Sequence, residues 1–211
     1  MSATCGHNSN FEGVSSTYKR ILWIIIGINA VMFFVEISAG LTAKSQALQA
    51  DALDFLADSI TYAISLLVIG KSIALRSKAA LFKGISLSFM GLSVMGLTLY
   101  RMLALQTPEA VTMGSVAFLA LLANLISVAL LVRYRNGDAN VRSVWLCSRN
   151  DAISNLVVII AASGVWMTSS AWPDLIVALL MGALFLSSSV QIIRQARKEM
   201  SNEAAVSKYS A

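Results

Sequence analysis

Charge is scarce in this sequence. Of its 211 residues 13% are Asp, Glu, Lys or Arg and 57% are hydrophobic, whereas a soluble domain is nearer a quarter charged and half apolar. Histidine occurs once, as His7, and cysteine twice, as Cys5 and Cys147. The two cysteines sit on segments with no reason to meet, which argues against a structural disulfide. His7 and Cys5 together make "CGHN", two ligand types in a polar tail that reads as a bystander. Proline is limited to Pro108 and Pro173, both at or near the start of an apolar block, where a missing N–H is harmless. Long polar stretches are missing too, so nothing remains to build a second folded domain.

What the chain has instead is long apolar blocks. A span needs roughly 20 mostly apolar residues to cross about 30 Å of hydrocarbon. Six blocks qualify: Ile21–Ala43, Gln46–Gly70, Ala79–Leu103, Val111–Val132, Ser143–Met167 and Ala171–Ile193. The expected fold is an all-α integral membrane protein of six transmembrane helices. A polar tail (1–20) precedes the transmembrane domain (21–193), and a short tail (194–211), able to extend the last helix by a few turns before fraying, follows it. The first block is too long, and lacks a small-residue cleavage site, to be a signal peptide. Short connections such as "KSQ" and "TSS" call for antiparallel neighbours.

The net charge of +5 is a matter of orientation. Lys19, Arg20, Lys71, Arg76, Lys78, Lys83, Arg133, Arg135, Arg142, Arg194, Arg197, Lys198 and Lys208 all fall on one side of the expected membrane. Lys44 and Arg101 fall in the opposite loops. The positive-inside rule then places both termini in the cytoplasm. Charge so distributed speaks for a lipid bilayer and against nucleic acid. A weak internal echo, "DSITYAISLLVI" against "DAISNLVVIIAA", fits the two related halves common in transporters.

Against this background the stretch "ADALDFLADSITYAISLLVIG" (Ala50–Gly70) stands out, with Asp51, Asp54 and Asp58 on one helix face. Two neighbouring carboxylates in a low dielectric cannot both stay ionised without a cation. No basic residue in that block neutralises Asp54 and Asp58, and intramembrane acids mark ion paths. Asp51, nearer the span end, is read equally well as a solvated or ion-paired surface acid. Cys147, Asp151 and Asn155 repeat the device at intervals of four in the fifth block. Two such ladders can converge on a tetrahedral divalent cation, for which carboxylate and thiolate are suitable ligands. Cys147 equally suits a small packing role. Arg149, two residues from Asp151, cannot face it and snorkels to the interface. Asn29, Asn124 and Asn155 are expected to hydrogen-bond between helices. Glu36, towards the outer end of the first span, is either structural or part of the ion path. Gly84, Gly91 and Gly96 speak for close helix approach in the third span.

Four local patterns resemble the cation diffusion facilitators, six-helix exporters of zinc and related metals. They are "NAVMFFVEISAGLTAKSQALQADAL", "DFLAD", "CSRND" and "WPDLIVALLMGALFLSSSVQIIRQA", and the resemblance covers about residues 20–198. It implies a transport site of Asp54, Asp58, Cys147 and Asp151, with Asp51, Asn155 and Glu36 as accessory candidates. It also implies alternating access, in which a cytoplasmic metal ion is exchanged for protons, usually by a homodimer. No resident cofactor is implied; the divalent metal, of the zinc class, is the cargo. Cys147 departs from the family's usual His or Asp, "RSKAALFKGIS" stands in place of its Gly-Tyr-x-Arg-x-Glu signature, and its cytoplasmic domain and histidine-rich loop have no counterpart.

The expected function is therefore proton-coupled efflux of a divalent transition metal (zinc-like, or Cd, Co or Fe) across a bacterial inner membrane, without enzymatic chemistry. Transport of protons or another small cation on the same scaffold is the alternative within this class. Outside it stand a non-transporting membrane sensor or subunit and an intramembrane aspartyl enzyme. The enzyme is disfavoured because the acids form i,i+4 ladders and no Gly-x-Gly-Asp pattern occurs.

Overall fold

The computed structural model describes residues 15–68, 73–103, 106–134 and 139–209. It forms six α-helices: α1 (Ser16–Thr42), α2 (Gln46–Val68), α3 (Ile73–Leu103), α4 (Ala110–Leu131), α5 (Ala139–Thr168) and α6 (Trp172–Tyr209), with a 3-10 turn at Val132–Tyr134. No strand occurs among the described residues. Five of the helices are long and apolar enough to cross a membrane. The remaining one, α2, carries the three carboxylates Asp51, Asp54 and Asp58 in 23 residues.

Helices α1, α3 and α5 start ahead of the expected blocks, α1 at Ser16 rather than Ile21 and α5 at Ala139 rather than Ser143. Helix α3 begins at Ile73, so part of the expected loop "KSIALRSK" is helical. Helix α6 runs unbroken to Tyr209, the continuation by a few turns past Ile193 that the tail's sequence allows. Ala, Arg and Lys, all good helix formers, occur in the extensions of both α3 and α6.

The tight connections gather at one end of the bundle. There the Glu109 N–H donates to the Ala43 carbonyl (3.0 Å) and the Thr107 hydroxyl to the Ser169 carbonyl (3.4 Å). Lys44 and Ser169 take positive φ, 59° and 49°, to make the two sharpest reversals. Helix α2 is capped here from a distance. Asp174 of α6 accepts from the Ser45 hydroxyl (2.6 Å) and from the backbone N–H groups of Gln46 (2.7 Å) and Ala47 (3.0 Å). These are amides that a helix start leaves unpaired, and a carboxylate also suits the positive end of the helix dipole.

Helix α1 packs along α2, α4 along α5 and α3 along α6. The α3–α6 seam is close because glycine lines it. A Cβ at Gly84 would meet Ile193 Cγ1 at 2.6 Å, and one at Gly91 would lie 3.1 Å from the Gly182 carbonyl. Ser189 donates to the Gly84 carbonyl (2.8 Å) and shares a hydrogen bond with Ser88. The expectation of close approach holds for Gly84 and Gly91 but not for Gly96, where a Cβ would meet nothing within 4 Å. The largest apolar core, which includes Ala47, Leu48, Met113, Ala117, Ala162 and Val165, fills the end with the tight turns. A smaller one of Tyr18, Leu22, Ile25, Tyr62 and Leu131 closes α1, α2 and α4 at the end bearing both termini. Large apolar side chains such as Phe34, Phe89 and Ile160 point outward, as a lipid-facing surface requires.

Candidate metal transport site

Between α2, α3, α5 and α6 lies a cavity of about 290 Å³. The α2–α5 wall carries Asp54, Asp58 and Asp151, together with Thr61 and Ser154. Helices α3 and α6 supply Lys83, Ser86 and Met90, and Met181, Phe185 and Ser188. Helical spacing explains the acid wall, since Asp54 and Asp58 are one turn apart on α2 and face Asp151 on antiparallel α5. The Asp151 carboxyl lies near enough to interact with both Asp54 and Asp58. Three carboxyls so close in a low dielectric cannot all stay ionised without a cation or protons to offset them. Among the described residues, no three acid, thiol or imidazole side chains converge as a metal-holding group.

Cys147 lies on α5 one turn before Asp151, but its side chain is outside the described part of the structure, as are Cys5 and His7 altogether. Asp51 is not the solvated or Lys/Arg-paired acid that the sequence allowed. It is 1% exposed and lies beside Glu36 of α1, also fully buried. Both Glu36 oxygens and Asp51 Oδ2 have no hydrogen-bond donor among the described residues. Asp51 also borders a small gap with Asp54, Phe55, Asp58, Asn124 and Asp151, so the acids form a continuous polar column. The interhelical hydrogen bonds expected of Asn155 and Asn29 do not form as foreseen. Asn155 is fully buried with both amide atoms unpaired among the described residues, and Asn29 Oδ1 is unpaired as well. Arg149 behaves as expected: it is exposed, stacked 5.5 Å from the Trp145 ring centre and bonded to Asn150 Oδ1 (3.2 Å).

Two residues at the site escaped the sequence reading. The Tyr62 hydroxyl donates to Asp58 from one turn further along α2; the i,i+4 spacing within "DSITY" was its available signal. Lys83 had been counted with the cytoplasm-side charge, yet it borders the carboxylate cavity from α3.

Comparison with known proteins resolves the class of this fold. Residues 22–201 match the family described as the cation efflux transmembrane domain. The chain belongs to the cation efflux family. Among the family's curated members it is 28% identical over 207 residues to the metal cation efflux system protein CzcD of Cupriavidus metallidurans, covering 89% of this chain and 65% of that protein. It is 29% identical over 189 residues to the cation efflux system protein CzcD of Alcaligenes sp., covering 84% and 59%. To the zinc transporter ZitB of Escherichia coli it is 26% identical over 220 residues, covering 98% and 70%. The chain thus spans less than two thirds of the length of either CzcD protein. Cation efflux membership and the five apolar helices make it a multi-pass integral membrane protein, and the bacterial relatives point to the inner membrane.

Proposed function

We propose that this protein exports a divalent transition metal ion of the zinc class from the cytoplasm in exchange for protons, with Asp54, Asp58 and Asp151 as ligands and Cys147 as the fourth. Helix α2 is then the sixth span, its acids sheltered from lipid, both termini are cytoplasmic, and residues 21–193 are the transport domain. The carrying observation is that three carboxyls from two antiparallel helices, Asp54 and Asp58 of α2 and Asp151 of α5, line one cavity inside an apolar bundle. The names of the relatives, metal cation efflux system and zinc transporter, agree with this reading.

The chemistry follows from competition. Carboxyls crowded in a low dielectric are offset either by protons or by a cation, so metal and protons use the same oxygens in turn. The cavity runs from Met90 and Met181 towards Lys83 and Ile192, the half of the bundle nearer the termini, while the largest core seals the other half. With both termini cytoplasmic, this arrangement supports loading of the site from that side. A change of facing follows only if metal and protons bind the two facing states with different affinity. Asp51, which borders the gap beside the site acids, with Glu36 next to it, and Asn155, one turn beyond Asp151 on α5, serve as accessory groups. The working unit is a homodimer in the bilayer.

The deciding experiment is flux of Zn²⁺, Cd²⁺, Co²⁺, Fe²⁺ and Mn²⁺ in proteoliposomes under an imposed pH gradient. Flux of at least one metal, accelerated by the gradient, is expected. Absence of flux for all five, or proton flux indifferent to metal, rejects metal efflux.

A further inference from the structure

Lys83 is a basic side chain facing a cluster of acids within a helix that reads as a span. A lysine near a span end ordinarily snorkels along lipid to the headgroups. Lys83 does not share a lipid-facing surface: Ser86, Leu87 and Met90, its neighbours three, four and seven residues on, all border the same cavity. Among the described lining residues it alone is basic, and its charge acts on Asp58 across the space. It also falls within "RSKAALFKGIS", where the chain departs from the pattern it otherwise resembles.

Three carboxylates on one wall and one ammonium on the other set the charge logic. Fully ionised, the acids are balanced by one divalent ion together with Lys83, or by two protons together with Lys83. One metal ion exchanged for two protons therefore leaves the three carboxylates and Lys83 neutral together, provided the lysine stays charged; a Cys147 thiolate on the metal releases a third proton. The ammonium is a compact point charge with three donors on a flexible four-carbon stem, able to approach the carboxylates or retreat. Being tethered, it competes at an effective concentration that a free monovalent ion has to match. A monovalent ion gains no more Coulomb energy than the ammonium it displaces, whereas a divalent ion gains about twice as much at equal distance.

We propose that Lys83 is a built-in counter-cation of the carboxylate cluster that yields to divalent but not monovalent ions, and so determines the charge selectivity of the site and promotes metal release. The inference rests on the efflux reading above and extends it to a residue outside the ligand set.

The test is Zn²⁺ transport by the full chain in proteoliposomes, comparing wild type with K83M, K83Q and K83R, with and without excess K⁺. Without the ammonium, Zn²⁺ binds unopposed. In K83M and K83Q the KM falls by at least about tenfold, kcat falls with it because release slows, and K⁺ now inhibits. K83R keeps the charge and restores both the higher KM and the resistance to K⁺. A purely structural lysine gives no such split, since its loss lowers kcat without tightening KM. An unchanged or raised KM in whichever neutral variant folds, or a K83R profile matching K83M, overturns the inference and leaves efflux standing. Wild type that carries no metal overturns both.

Discussion

Asp58 accepts the Tyr62 hydroxyl, so one of its oxygens is held before any cation arrives. An outer hydrogen-bond partner of a metal ligand is worth about 10–100-fold in affinity. Tyr62→Phe should therefore raise the KM for Zn²⁺ about tenfold at little cost to folding, measured as flux against thermal stability in detergent. Asp58→Ala and Asp151→Ala should each abolish metal tolerance in cells while expression persists; protection equal to wild type by both would remove them from the site. Cys147→Ser and Cys147→Asp in the metal-panel assay should shift preference away from soft ions, and an unchanged profile would return Cys147 to packing. At this scale the acids were readable from the sequence, because a carboxylate in an apolar run has few reasons to exist. Their partners were not. Lys83 reads as ordinary interfacial charge until α3 is folded against α2, and Glu36 finds Asp51 only through the α1–α2 packing.

The helices were readable as apolar blocks, but their seams were not. Gly84, Gly91 and Gly96 look alike in sequence, and only packing against α6 separates the first two from the third. Gly91→Ala places a methyl 3.0 Å from Leu186 and 3.1 Å from the Gly182 carbonyl, so it should lower the melting temperature. Overpacking of this kind costs about 1–3 kcal/mol. Gly96→Ala, with open space and about 1 kcal/mol of helix propensity to gain, should leave it unchanged or raise it. Equal effects in differential scanning fluorimetry would mean that the α3–α6 contact is not set by glycine. Asp174 makes the same point across 128 residues: nothing local in "WPDL" announces that it caps α2. Asp174→Ala leaves the Gln46 and Ala47 amides without their acceptor, a change worth about 0.5–2 kcal/mol at ordinary helix caps.

For the whole molecule, an all-helical membrane fold followed directly from the hydropathy blocks and short loops, because lipid permits few other solutions for a backbone. The pairing of α3 with α6 as a seam of their own did not, since no period in the sequence encodes which helices become neighbours. Orientation is a property of the assembled protein in its bilayer. Reporter fusions at both ends should be active only in the cytoplasm; a periplasmic signal from either would reverse the assigned direction of transport.

The unbroken run of α6 gives the molecule something its other helices lack. Thirty-eight residues at 1.5 Å each make a rod of about 57 Å, against a hydrocarbon layer of about 30 Å. The rod exceeds that layer by roughly 25 Å, and an excess carried beyond the C-terminal end of the span would stand as a mast above the carboxylate cavity, which α6 lines through Ile192. A tilt of about 10° at the root sweeps the tip through some 4 Å, so motion too small to resolve among packed helices is magnified where a spin label or fluorophore can follow it.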